Sequence, residues 1–385
     1  MMRVAHLTFS GAFGGREKVA FSLVRALNSS IAAKLYLVLE SRTDQDKQKD
    51  LMQHLSSYAM PTRILQTDAF FSNSTCKELA AYIQEDDINI IHAHCHKSLS
   101  YALILKYLHC PGLLVTCTLH GLKIPFDCKY LVHHLLSMVG MIGSDGIIGC
   151  SREIVSTINK VPFLNRKVSI IRNNLPFIKK QLANRNDLRA AFSHRNNIPK
   201  HKTCWIGNAS RLTAQKNIPL FLDSISRYAS ESNSNNAIFL LAGDGELKDE
   251  LLARAARLGL NDSFRFVGFL TGMDEFYSML DLFVLTSDWE GTPMAALEAM
   301  SHGLPVIASS VGGVPDVVVN NTTGILFPKG DVQACVAALH MLIGAEDARI
   351  KMGIAARERI LTEFTEERWV SEHLSHYQLL LSREG

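Results

Sequence analysis

Asp288–Gly303 reads DWEGTPMAALEAMSHG and follows at once on Leu282–Thr286, an apolar run with the length of a buried strand. Pro293 stands where a first helical residue is favoured, Thr292 where a cap belongs, and Gly303 just past the end. A helix over Pro293–Ser301 that starts straight after a strand turns free backbone N–H groups outward, which makes a ready anion site. Glu290 precedes this helix and Glu298 lies inside it, eight positions on. Carboxylates so spaced do not share one proton closely; they suit gripping a hydroxyl-rich ligand at two separate points. The alternative is a capping Glu290 and a solvated Glu298.

Outward from this stretch, short apolar runs alternate with amphipathic ones. The C-terminal half predicts strands over Cys204–Ala209, Ala237–Gly243, Ser263–Gly268, Leu282–Thr286, Pro305–Ser309 and Gly324–Phe327. Helices are predicted over Asn217–Tyr228, Glu246–Leu258 and Val332–Ile343. The N-terminal half predicts strands over Met2–Phe9, Lys34–Leu39, Ile88–His92, Leu113–Leu119, Gly146–Gly149 and Val168–Ile171, with a helix over Glu17–Leu27. Strand and helix in alternation give α/β domains with parallel sheets wrapped on both faces. Two such doubly wound domains are expected. They comprise residues 1–178, a connection with a short helix over 179–202, and residues 203–364, with a last segment, 365–385, packing back on the first domain. Ligands of such sheets bind beyond the carboxyl ends of the strands, so a cleft between facing domains is the expected site.

The chain has 385 residues, 47% hydrophobic and 20% charged, enough for two full-sized cores. Its net charge of +3 divides unevenly, with +8 over residues 1–180 and −5 over 181–385. A basic N-terminal half favours anionic acceptors or an anionic membrane face, or is an ordinary solvated surface. Eight cysteines without C-x-x-C spacing read as free thiols of a reducing compartment. The most apolar stretch, Tyr101–Leu122, is broken by Lys106, His109 and Pro111, so no transmembrane helix and no secretory leader is expected.

Two further loops follow strands. In SRLTAQKN, 210–217, Arg211 and Lys216 emerge past a strand end, where fixed cations can neutralise a diphosphate leaving group without a divalent metal. In LLAGDGELKDEL, 240–251, a turn with Asp244 and Gly245 again leads into a helix; G-x-G-x-x-G is absent.

Taken together, these motifs resemble the family-4 retaining glycosyltransferases with the GT-B fold, two Rossmann-like domains facing each other across a cleft. Glu290 and Glu298 match the family's E-x7-E motif, and EGTPMAALEAMSHGLPVIAS, SRLTAQKN, LLAGDGEL, RFVGFL and GGVPDVV…GILFP read like its members. GGREKVAFSLVRAL, IIHAH, TLHG and GCS do the same in the N-terminal half, so the resemblance spans about residues 3–375 in the family's order. An E-x7-E match alone is cheap; ordered motifs together are specific.

The resemblance implies roles. Gly14 and Gly15 would approach the donor phosphates, while Arg211 and Lys216 would bind the diphosphate. Glu298 would hold the ribose hydroxyls and Glu290 would face the donor sugar. Gly291 and the backbone from Thr292 and Pro293 to Met294 and Ala295 would hold phosphate or sugar oxygens. Asp244 and Gly245 would lie at the ligand's edge, Phe269 and Leu270 beside the base, and His120 beside the sugar. The implied activity moves a sugar, with retention, from a UDP-, GDP- or ADP-sugar to a glycan or lipid-linked acceptor, in bacterial envelope polysaccharide or lipopolysaccharide synthesis. No metal or other cofactor and no nucleic acid is expected, and the implied place is the cytoplasm, at the inner face of the membrane. Competing readings are a GT-B epimerase or phosphorylase and a non-catalytic sugar-nucleotide-binding partner.

Where the family has an Asn-Gly pair this chain has Asn173-Asn174, and Asn174 is expected to adopt the left-handed conformation in glycine's place. Trp289 is bulkier than the family's usual neighbour of Glu290. His92, His94 and His96 alternate beside Cys95 but lack a further ligand group, so no metal site is expected. Asp44 and Asp46 read as a solvated loop, and His133-His134 as helix residues. Lys123–Met141, apolar and basic, suits either membrane contact or a packing face.

Overall fold

The computed structural model describes residues 1–41, 44–121, 138–175, 184–232 and 236–383. The chain divides into two compact units, Met1–Pro176 with Glu366–Gly385, and Phe177–Thr365.

Unit 1 is built on strands β1 (Arg3–Ser10), β2 (Ala32–Glu40), β3 (Thr62–Thr67), β4 (Ile90–Ala93), β5 (Leu114–Leu119), β6 (Gly146–Gly149) and β7 (Val168–Ile170). They form one sheet in the order β3-β2-β1-β4-β5-β6-β7, parallel throughout. The central strands are buried on both faces, β5 at every position and β1 at all but Arg3. β3 is an edge strand, TRILQT, whose side chains alternate between exposed and buried, and the sequence reading omits it. Helices α1 (Gly15–Leu27), α2 (Gln45–Ser56), α3 (Asn73–Glu85), α4 (His96–Ile104) and α5 (Arg152–Asn159) connect the strands. Asp44 caps α2, its carboxylate accepting from the Asp46 amide.

Unit 2 begins, among its described residues, with α6 (Arg185–Asn196). Its guanidinium groups fasten it: Arg185 and Arg189 reach the two oxygens of Asp281 at 2.5 and 2.6 Å. Six parallel strands follow, β8 (Cys204–Ala209), β9 (Ala237–Ala242), β10 (Phe264–Gly268), β11 (Leu282–Leu285), β12 (Val306–Ser309) and β13 (Gly324–Phe327), in the order β10-β9-β8-β11-β12-β13. Between and after them run α7 (Ile218–Glu231), α8 (Lys248–Arg257), α9 (Met273–Met279), α10 (Met294–Ser301), α11 (Val314–Val317), α12 (Val332–Ile343) and α13 (Glu346–Glu363). Phe221, Phe239, Phe283 and Phe327 are fully buried between sheet and helices.

The last helix, α14 (Glu366–Ser382), belongs to unit 1. It buries Trp369, His373, His376, Tyr377 and Leu380, which share one helical face. Against this face the sheet presents hydroxyls and imidazoles: Thr116 Oγ1 lies 2.8 Å from His376 Nε2, and His92 Nδ1 lies 2.7 Å from the Tyr377 hydroxyl. No helix of the described residues is long and apolar enough to cross a membrane. The seven described cysteines are all free. His133-His134 and most of Lys123–Met141 lie outside the described residues.

Candidate functional site

The strand order of unit 2 reverses at one place. From β8 the chain winds to β9 and β10 on one side, then crosses over to β11, β12 and β13 on the other. The loops leaving β8 and β11 therefore part at the switch point of the sheet, where such folds bind ligands. They are 210–217 and 286–293, the segments that carry Lys216 and Glu290.

Hydrogen bonds tie these loops together. The Asp288 amide donates to the Gln215 carbonyl at 2.8 Å, Gln215 Nε2 to the Trp289 carbonyl at 2.9 Å, and Asn217 Nδ2 to Asp288 at 2.9 Å. In this frame Lys216 Nζ lies 2.5 Å from Glu290 Oε1. Ser287 donates to the same oxygen at 2.6 Å, and its carbonyl accepts from Ser309. The Glu290 side chain is 6% exposed and that of Lys216 16%, so the pair is largely withdrawn from water. A lysine and a carboxylate so held make a polarised edge that can grip both an anion and a hydroxyl. Arg211 is exposed, and its side chain has no hydrogen bond or ion pair among the described residues.

Behind the pair stands α10. The structure begins it one residue later than the sequence reading: Pro293 is the N-cap, with φ −76° and ψ 92°, and no side chain caps it. The expected cap, Thr292, is buried. The Pro293 carbonyl accepts from the Ala296 and Leu297 amides, while those of Met294 and Ala295 find no acceptor among the described residues. The macrodipole end and two amides are thus available to a ligand anion. Glu298, half-buried on this helix, accepts from the Tyr277 hydroxyl of α9 at 2.9 Å. Burial, and then the nearby carboxylate, raise the Tyr277 pKa well above its ordinary value, so the phenol stays a donor.

Two glycines make the loops fit. A Cβ on Gly312 would lie 1.9 Å from the Glu290 carbonyl oxygen, and one on Gly243 equally close to that of Ser210. Both have positive φ, +54° and +138°. Gly312→Ala should therefore lose about 3 kcal/mol or more of stability and most nucleotide binding. Gly330→Ala, at a similar φ with open space around it, should cost roughly 1 kcal/mol. Thermal melts of the two variants check the difference.

Asp244 and Gly245 follow β9. The Asp244 carbonyl accepts from the Leu212 amide, so this turn abuts the loop of Arg211. Phe269 and Leu270 follow β10, Phe269 being 69% exposed. Glu290, Gly291, Thr292, Pro293, Lys216, Asp244 and Gly245 thus occupy neighbouring loops at the carboxyl ends of adjacent strands. Sequence reasoning missed Ser287 and Tyr277. Ser287 stands in the motif loop beside Glu290 and could have been suspected; no local signal marks Tyr277.

Unit 1 has its own switch point, between β1 and β4. Gly14 is the N-cap of α1 and Gly15 its first residue. Beneath them Glu17, buried, accepts from Ser10 Oγ at 2.9 Å and from Arg16 at 2.6 Å. His120 directly follows β5, half-buried, and burial pushes its pKa down to about 3. Asn174 does not take the left-handed conformation expected of it: its φ is negative, and its buried side chain finds no partner among the described residues.

Residues 191–359 match the family model of glycosyl transferases group 1. The chain is 24% identical to N-acetyl-alpha-D-glucosaminyl L-malate synthase of Bacillus anthracis, over 78% of this chain and 77% of that protein. It is 32% identical to the UDP-Gal:alpha-D-GlcNAc-diphosphoundecaprenol alpha-1,3-galactosyltransferase of Escherichia coli, over 45% of this chain and 44% of that protein. Among solved structures it resembles Anabaena Alr3699/HepE in complex with UDP and glucose, with a TM-score of 0.79 and 19% identity, covering 98% of this chain and all of that one. The two parallel-sheet units have the GT-B architecture. The family match lies within unit 2, over residues 191–359.

Proposed function

We propose that the chain is a retaining glycosyltransferase that moves a sugar from a nucleoside-diphosphate sugar to a glycan or lipid-linked acceptor in bacterial envelope polysaccharide or lipopolysaccharide synthesis. The observation that carries this reading is the Lys216–Glu290 pair at the switch point of unit 2, backed by the start of α10. The transition state is an oxocarbenium-like sugar parting from a diphosphate. Charge grows on the leaving oxygen, and Lys216, Arg211 and the α10 amides are the groups that stabilise it. They supply positive charge without a divalent metal. Glu290 accepts from the donor sugar's hydroxyls, and Glu298, steadied by Tyr277, accepts from the ribose. Retention follows from the family resemblance, with the departing phosphate helping to deprotonate the acceptor.

Relatives support the substrate class. The Escherichia coli protein is named for a UDP-sugar and a diphosphoundecaprenol acceptor, and the Anabaena structure holds UDP and glucose. A UDP-sugar is the donor to test first, ahead of GDP- and ADP-sugars. The net charge of +8 over residues 1–180 favours an anionic acceptor or membrane face, and salt-sensitive co-sedimentation with anionic liposomes measures it.

The deciding experiment measures release of free nucleoside diphosphate with and without candidate acceptors, in the presence of EDTA. Acceptor-dependent release is expected. Donor conversion without acceptor would instead make the chain an epimerase, and neither reaction would leave a binding protein. Tyr277→Phe should weaken nucleotide binding by about 10-fold with kcat nearly unchanged. An unaltered Kd by calorimetry would separate Tyr277 from the ribose grip.

A further inference from the structure

Three imidazoles of unit 1 stand in a row. His6 Nδ1, on β1, lies 2.9 Å from His94 Nε2, just past β4, and His94 Nδ1 lies 3.4 Å from His120 Nε2, directly after β5. Successive rings are nearly parallel, inclined by 22° and 24°. His6 and His94 are buried, His120 is half-buried, and the far nitrogen of the row, His6 Nε2, has no hydrogen-bond partner among the described residues. Burial is the main cause that holds the rings neutral, His6 and His120 down to about 3 and His94 well below its ordinary value; His373 and Arg16 also oppose charge there.

A neutral imidazole has one N–H and one bare nitrogen. Each contact in the row needs one of each. His94 uses both of its nitrogens, so its tautomer dictates that of both neighbours. If His94 is protonated on Nδ1, it donates to His120 and accepts from His6 Nδ1–H; His120 must then carry its proton on Nδ1. If His94 is protonated on Nε2, every ring in the row is. Only these two arrangements satisfy both contacts.

We propose that His94 and His6 are positioning residues that lock the tautomer of His120, the three rings carrying their protons on the same ring nitrogen and changing only together. His120 Nδ1 then has a fixed character, donor or acceptor. Converting it from one to the other requires moving protons in all three rings and changing what is stranded at His6 Nε2. This residue lies where TLHG would face the donor sugar, so the lock's consequence for transfer rests on that reading, whereas the lock itself does not.

A metal is the rival occupant. His6, His92 and His94 each bring one ring nitrogen within 4.8 Å of the others. Both nitrogens of His92 are already engaged, however, at 2.7 Å from the Tyr377 hydroxyl and 2.7 Å from Thr118 Oγ1. Ligation would break one of these bonds and one of the two His94 contacts as well.

The test is a long-range ¹H–¹⁵N correlation spectrum of the full chain labelled in histidine, at pH 7.5, with rings assigned by single His→Gln variants. One shared tautomer for His6, His94 and His120 is expected. In His94→Phe, which keeps a flat ring but cannot hydrogen-bond, His120 should shift to the averaged pattern of a ring sampling both tautomers. Different tautomers within the wild-type row, a His120 pattern unmoved by His94→Phe, or one zinc per chain by elemental analysis would each overturn the proposal. The wild-type spectrum decides even if the variant fails to fold. No sugar nucleotide enters the experiment, so its failure is separable from failure of the transferase reading.

Discussion

Lys216→Ala should lower kcat about 100- to 1000-fold, the effect of removing one preorganised charge donor from a leaving group. It should also lower the stability of unit 2, because the lysine is the partner of a carboxylate that is 6% exposed. Removing one member of a buried pair strands the other, at a cost of roughly 3–5 kcal/mol. Ser287 still donates to Glu290, which puts the expectation at about 3 kcal/mol. The two effects separate in the double variant Lys216→Met with Glu290→Gln: the melting temperature should return most of the way to wild type while turnover stays lost. Glu298→Ala should do the reverse, weakening nucleotide binding more than it slows turnover, since Glu298, on α10, accepts from Tyr277 and lies apart from the Lys216–Glu290 contact. Equal, wild-type rates in Lys216→Ala and Glu298→Ala would remove both from the site.

Mild acid should unfold unit 1. His6, His373 and His376 are buried, and burial lowers their pKa values to about 3, 4 and 3. In the unfolded chain each returns to about 6.5. Below that value the unfolded state binds protons that the folded state refuses, so stability is full above pH 6.5 and falls steadily as pH drops toward 3. At pH 5 each ring costs about 2 kcal/mol, so the three together remove about 6 kcal/mol. That is comparable to the whole stability of a typical domain. Urea melts at pH 7.5, 6 and 5, followed through unit 1 by Trp369 fluorescence in a background with Trp205 and Trp289 replaced by Phe, measure the slope. His376→Asn, which keeps a polar partner for Thr116 but cannot titrate, should flatten it by about a sixth, because burial also holds His92, His94 and His120 neutral in the same unit. Stability that does not change between pH 7.5 and 5 would contradict the account.

Unit 2 was readable because most of its strands are dominated by apolar residues and its loops keep local order. β8 and β9 are buried at every position, so a run of hydrophobic residues suffices to find them. The edge strand β3 alternates in exposure and carries Thr62, Arg63, Gln66 and Thr67, a composition that a loop shares. Local spacing also misplaced the start of α10 by one residue, because Pro293 takes an extended ψ that its fixed φ does not determine. The carboxylates of the candidate site could be named from spacing, whereas their supports could not. Ser287 and Tyr277 act through tertiary contacts, and the histidine row depends on the register that sets His6 beside His92. H-x-H-x-H along 92–96 suggested three imidazoles on one strand face; the structure ends the strand at Ala93, starts a helix at His96, and recruits the third ring from β1.

The terminal helix gives unit 1 an interrupted sequence. Its sheet is written in the first 176 residues, yet the helix that covers His92 and Thr116 is written after residue 365. During translation, at roughly 5–20 residues per second, the nascent first half waits about 10–40 s with that polar layer bare while the second half is made and can complete its own core. The order of birth is therefore the reverse of the order of completion, and a chaperone acting on this chain would meet the amino-terminal half as the unfinished one.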